Sequence, residues 1–252
     1  MSLLAIIIAT IINFFGSLLF SMLGVGAAPV FIASLQTLGY GIVATVFPLA
    51  ILLNGINSGF ALIPFAKASN VDWHRGALLS IVAAALAFTG AYFAVDIPER
   101  TLLYFLAAVL LILSAWTFAR VRIESKSARP SSRKVALIGV PASAFAGFIG
   151  GLLAIGGGGI LVPFLMMSGY NTKNASGTTA LVATVASASG FLGFLSHAVI
   201  PLDILLYSTV TIAIASIIGA LLSVKIAKPS WLKIILGLIL LGSAMKIVIG
   251  LI

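Results

Sequence analysis

Long apolar runs divided by short polar gaps decide what this chain can fold into. The runs cover roughly residues 3–23, 30–38, 41–65, 76–95, 101–119, 135–155, 160–168, 175–197, 204–224 and 231–251. A membrane-spanning helix needs about 20 residues at about 1.5 Å each. Eight runs reach that length, while 30–38 and 160–168 do not. Inside hydrocarbon every backbone polar group must find its partner within the protein, which leaves helices and closed barrels. Barrel strands alternate apolar and polar over about 10 residues, and these runs do not alternate. The expectation is an all-α polytopic membrane protein of about eight long hydrophobic helices plus two half-helices.

Composition narrows the function. Charged residues make up 8% of the chain and hydrophobic ones 62%, against about 25% charged in soluble domains. A soluble enzyme and a secreted disulfide scaffold are excluded. The net charge of +9 could suggest nucleic acid, but six of the 14 Lys and Arg residues fall in one short stretch, Arg120 to Lys134. Membrane topology explains that placement better, and no nucleic-acid partner is expected. With no Cys, two His and five Asp and Glu, neither a metal nor a cofactor is expected. The first apolar run lacks the basic start and small-residue cleavage site of a secretory signal, so it is expected to be retained.

The basic stretch divides the chain into a first repeat (1–119), a linker (120–134) and a second repeat (135–252). Shifting the first part by 130 residues places Gly26-Ala27-Ala28 on Gly156-Gly157-Gly158, Gly39-Tyr40 on Gly169-Tyr170, Asn57 on Ser187 and Lys67 on His197. With one more residue, Asp72 falls on Asp203. Repeats of this kind in membrane proteins accompany transport. Charge then selects their relative orientation through the positive-inside rule. If every long run crosses, nine cations oppose five. If 3–38 and 135–168 are hairpins that enter and leave on one side, twelve oppose two, with Arg100 and Lys246 alone. The second arrangement makes the repeats inverted and the basic linker cytoplasmic. Asp72, Asp203 and Asp96 fall where helix N-caps belong, and Pro98 and Pro229 fall near first turns.

The strongest chemical signal is Gly156-Gly157-Gly158-Gly159, followed by Pro163. Each Gly costs a helix interior about 1 kcal/mol relative to Ala. Four in a row at membrane depth predict a break that is buried or lines a wet cavity. The amides beyond it would open a half-helix, whose N-terminus attracts anions. Close helix packing through small residues is the competing role. The first-half counterpart, Gly24-Val25-Gly26-Ala27-Ala28-Pro29, has Ala where the second has Gly and a Pro without an N–H, so less is expected of it.

These motifs resemble the TauE/SafE family of sulfite and sulfonate exporters. The residues that carry the resemblance are Ile155 to Gly159, Pro163, Ala175 to Leu181, Ser187, Gly190 and Leu202-Asp203, with Gly24 to Ala28 and Val71-Asp72-Trp73 in the first half. It covers essentially the whole chain. It implies a transporter of small sulfur-containing anions in a prokaryotic plasma membrane.

The expected substrate-binding residues are Gly156, Gly157, Gly158, Gly159, Thr178, Thr179 and Ser187, with Gly26, Ala27, Asn54 and Asn57 from the first half. Helix capping competes with ligand binding at Thr178 and Thr179. Interhelical hydrogen bonding competes at Asn54 and Asn57, which share a helix face. Lys67 and His197 end equivalent helices and are candidates for a charge or proton role, against snorkelling and an interfacial position. An enzyme is not expected, because no nucleophile stands with a base and the Gly run lacks the Lys-Ser/Thr of a phosphate loop. The readings left are a carrier of small anions by alternating access, an anion channel, and a carrier of a non-sulfur carboxylate. The partners expected are a small anion and the bilayer.

Overall fold

The computed structural model describes residues 3–119, 130–225 and 229–250. Most of the basic linker, Arg120 to Arg129, lies outside the described residues. The described residues are mainly helical, with no strand among them: α1 (Leu3–Ser21), α2 (Ala28–Gln36), α3 (Ile42–Lys67), α4 (Trp73–Ala94), α5 (Glu99–Ala119), α6 (Ser132–Leu152), α7 (Gly158–Met167), α8 (Thr172–His197), α9 (Leu202–Lys225) and α10 (Pro229–Ile249). Among the described residues, six helices, α3, α4, α5, α6, α8 and α9, are long and apolar enough to cross a membrane. Helices α2 and α7 have 9 and 10 residues, about 15 Å of rise and half a bilayer core.

Local chemistry sets the helix starts. The Asp72 side chain accepts from the Arg75 amide at 3.1 Å and caps α4. Asn171 caps α8 in the same way, accepting from Asn174 at 2.8 Å. Asp203 falls inside the first turn of α9. Both half-helices start two residues before their apolar runs. Pro29 is already shaped for the first turn of α2, and Gly158 is small enough to start α7 against the opposite hairpin. Helix α6 likewise starts at Ser132, inside the basic stretch, through a π-helical turn at Val135–Gly139.

Helices α3 and α8 run antiparallel through the centre. Gly55 faces Ser187, Gly59 faces Thr184 and Gly177 faces Phe65. Helix α4 packs on α6 and α8, α9 packs on α1 and α3, and α5 pairs with α10. Small residues let the backbones approach. A Cβ on Gly147 would stand 2.4 Å from the Ala83 carbonyl oxygen, and one on Gly219 2.1 Å from that of Leu18.

The short helices fold back on their predecessors. Gly150 of α6 touches Gly157 across a tight turn, and Gly139, three turns earlier, approaches Leu165 near the end of α7. The start of α6 and the end of α7 reach the same end of the molecule. There the Arg75 guanidinium donates to Ser132 at 2.8 Å, and Tyr170 donates to Asp72 at 2.9 Å. Helices α1 and α2 repeat the arrangement: Gly16 packs on Val30, and Ser34 donates to Asn13 at 2.7 Å. Their open end lies with the α3 start, where the Val43 amide donates to Glu99 at 3.1 Å and Val199 N donates to Ala44 O at 2.7 Å.

Candidate site at the hairpin tips

The two hairpin tips meet at mid-height of α3 and α8. The second tip is built from left-handed backbone, with φ of 56° at Ala154, 67° at Gly156 and 69° at Gly157. The Ile155 and Gly156 amides both donate to the Gly150 carbonyl, at 2.8 and 3.0 Å, and so close α6. Glycine is required beyond its torsional freedom. A Cβ on Gly156 would stand 2.1 Å from Asn54 Nδ2, and one on Gly157 would stand 2.2 Å from the Ala146 carbonyl oxygen. The Gly157 carbonyl accepts from Ile160 and Leu161, both at 3.1 Å. The amides of Gly158 and Gly159 are first-turn donors with no acceptor inside their own helix.

The first tip is already satisfied by protein. The Ala28 amide donates to Asn54 Oδ1 at 3.0 Å, and Pro29 has no N–H. The Val30 and Phe31 amides both bond to the Ala27 carbonyl. Asn54 also donates to Ser187 Oγ at 3.0 Å, so one buried amide ties the first tip, α3 and α8 together. One turn on, Asn57 ties the first tip to α1 and α9. It accepts from Ser21 at 3.1 Å and Ser216 at 2.6 Å, and donates to the Val25 carbonyl at 3.3 Å. Asn54, Asn57 and Ser187 are fully buried. The interhelical role weighed against ligand binding for the two Asn residues is thus present in the structure.

The tips touch directly, for a Cβ on Gly158 would lie 3.3 Å from Val25 Cα. Beside them is a cavity of about 20 Å³, lined by Gly26, Pro29, Gly159 and Ile160 from the hairpins and by Leu113 of α5 and Leu240 of α10. That is room for about one water molecule. Both half-helix N-termini therefore border one small space.

Of the remaining expected residues, Ala27 caps α2 at the first tip and is fully buried. Thr178 lies away from the tips, accepting from the Asp72 amide at 3.0 Å. Thr179 is fully buried and its hydroxyl has no hydrogen-bond partner, as is true of Ser17, Ser58 and Ser176. Lys67 and His197 are exposed at opposite ends of the antiparallel α3–α8 pair, with Ser196 Oγ 2.9 Å from His197 Nδ1. Neither reaches the tips.

A cluster not expected from sequence joins α4, α6 and the α7–α8 turn. Arg75 pairs with Asp72 at 2.9 Å, and Tyr170 donates to the same carboxylate oxygen. Burial works against the Asp72 charge, but hydrogen bonds from the Arg75 amide, Tyr170 and the Arg75 guanidinium outweigh it and hold the carboxyl below its ordinary range. Burial and then the bond to Asp72 push the Tyr170 hydroxyl well above its own. The 130-residue register contained the signal, since it superposes Tyr40 on Tyr170 and nearly Asp72 on Asp203. At the opposite end, burial and then the Asp203 charge raise Tyr40 in the same way.

The chain is similar in sequence to known membrane proteins. The family described as "Sulfite exporter TauE/SafE" matches residues 9–247. A protein of Sinorhizobium fredii (strain NBRC 101917 / NGR234), "Probable membrane transporter protein y4hK", is 26% identical over 240 residues, covering 92% of this chain and 93% of the relative. A protein of Methanocaldococcus jannaschii, "Probable membrane transporter protein MJ0441", is 25% identical over 195 residues, covering 73% of this chain and 72% of the relative. No solved structure matches the chain.

Proposed function

The chain belongs to the sulfite exporter TauE/SafE family and is an integral membrane transporter, and from that premise we propose that it is a secondary carrier of small anions, sulfite and organosulfonates foremost. The observation that carries this reading is the meeting of two half-helix N-termini at one small cavity, halfway along the central helices. Each terminus carries roughly half a positive charge. The Gly158 and Gly159 amides supply donors, and the second tip is the principal ligand. The first tip, fixed by Asn54 and Asn57, supplies field and shape. Ser187, which accepts from Asn54 behind Gly156, fixes the second tip rather than lining the cavity.

The water-sized cavity favours a carrier over a channel. Alternating access needs a state closed to an anion at both faces, and a conducting pore needs a continuous path. In the proposed cycle the two halves are inverted repeats. Exchanging them converts the α4–α6 contact into α9–α1 and α4–α8 into α9–α3, and returns α3–α8 and α5–α10 to themselves. The end bearing Asp72, Arg75, Arg133 and Lys173 is taken as cytoplasmic by its positive charge. An anion leaving a negative interior gains about 2.3 kcal/mol per charge per 100 mV, so export can run without a coupling ion.

The test is flux into proteoliposomes, read as charge movement with a panel of sulfur oxyanions, sulfonates and carboxylates. Saturable current with sulfite or a sulfonate is expected. It should be lost in Gly157→Leu and Gly158→Leu variants that still insert and purify as single species. Unaltered current in both variants overturns the site, and larger saturable currents with carboxylates replace the substrate class.

A further inference from the structure

Lys246 is a cation that pairs with no carboxylate among the described residues. It lies near the end of α10, half-buried, and its ammonium donates to the backbone carbonyl of Ala33 in α2. The ion pair formed among the described residues is Arg75–Asp72, at the other end of the molecule. Helices α1 and α2, against which α10 packs, carry no ionisable side chain, and α5 carries Glu99, Arg100 and Tyr104 toward the same end of the molecule, none of them ion-paired with Lys246 among the described residues. A charge in such surroundings is costly, and a neutral carbonyl offsets part of that cost.

The position relates directly to the central cavity. Pro29 and Leu240 line the cavity. Ala33 is one turn beyond Pro29 on α2, and Lys246 is less than two turns beyond Leu240 on α10. Past them, Gly250 approaches Gln36 at the end of α2. The α2–α10 seam thus leads from the half-helix N-termini to the end of the molecule, with Lys246 partway along it. In the 130-residue register the counterpart of Lys246 is Trp116, whose ring packs edge-on against Phe164 of α7 at a centroid distance of 5.2 Å. The corresponding seam in the other half has an aromatic ring at this place.

We propose that Lys246 is a substrate-contacting residue: the anion, on its way between the cavity and the end opposite Asp72, displaces the Ala33 carbonyl and pairs with the ammonium. This rests on the anion-carrier reading and adds to it a one-sided charge. It assigns discrimination by substrate charge to the seam facing away from the basic linker.

A capping role and a substrate role separate experimentally. Gln can still donate to the Ala33 carbonyl, so Lys246→Gln keeps the cap and removes the charge, while Lys246→Arg keeps both. With methanesulfonate, whose charge does not change near neutrality, half-saturation in proteoliposomes should rise about tenfold in Lys246→Gln, a single charge-assisted hydrogen bond. It should stay within about twofold in Lys246→Arg. Lys246→His supplies an internal control in one folded protein, with affinity near wild type below the imidazole range and lost as pH rises through it. Equal half-saturation in wild type and Lys246→Gln, equal losses in Gln and Arg, or a pH-independent His variant overturns the assignment while wild-type flux stands. Absence of wild-type flux with every anion tested overturns the carrier reading, and this proposal with it.

Discussion

At the residue scale, the site depends on two kinds of group, glycines that leave no room and side-chain amides that tie the tips to the central helices. Gly156 combines both, since its missing side chain is the space in which Asn54 reaches Ser187. Gly156→Ala should therefore abolish saturable flux even though it adds one carbon. Ala154 is the useful contrast, because its φ of 56° is a left-handed conformation that costs a non-glycine residue about 1 kcal/mol. Ala154→Gly should keep flux, with unfolding stability in detergent within about 1 kcal/mol of wild type, the relieved backbone offsetting added chain entropy. Asn54→Ala leaves the buried Ala28 amide without an acceptor. It should lower stability by about 1–3 kcal/mol as read by denaturant titration. The glycines were legible in the sequence because four in a row contradict a helix. The partners of Asn54 and Asn57 were not, because i,i+3 spacing fixes a shared face and says nothing about what packs on it. Thr178 shows the same limit, as a hydroxyl near the start of a buried helix that serves the α4 cap.

At the element scale, the hairpins hold different strengths of anchor. The second is fixed at its base by Asp72, Arg75, Tyr170 and Ser132, and further in by Ser143, which donates to the Leu79 carbonyl at 2.6 Å. The first is fixed at its tip by the two Asn residues. The Asp72 cluster should be visible in acid. Its carboxyl titrates below the ordinary range in the folded protein, so the cluster's contribution is complete above about pH 4 and disappears as pH falls through the lowered value. Melting temperatures measured between pH 5 and 3 should drop more steeply for wild type than for Asp72→Asn. Parallel drops would remove the cluster from the stability of this end. The existence of both half-helices was legible from run length and small-residue breaks. Their starts were displaced by two residues, because Pro and Gly that end an apolar run in sequence become the first turn in space.

At the scale of the whole molecule, the proposed topology puts twelve cations on one side of the bilayer, and it can be tested without background because the chain has no Cys. Single cysteines at Lys67, Arg133 and Lys173 should react with a membrane-impermeant maleimide only from the cytoplasm. Cysteines at Arg100 and Ser196 should react only from outside. Reaction of positions 133 and 173 from opposite faces would mean that α6 and α7 together cross the membrane. The hairpins also bear on how the protein is made. Left-handed backbone at membrane depth is tolerable only when surrounded by protein, and neither tip is surrounded by its own half. Gly24 rests on the Ser176 backbone of α8, and Gly156 rests on Asn54 of α3. During synthesis the first tip therefore has α3 beside it but lacks its cover from α8, which emerges more than a hundred residues later. Until then α1 and α2 must wait near the membrane surface or lean on an insertion factor. Final burial of the first hairpin becomes a late, post-insertion event, and the binding site cannot exist before α8 has been made.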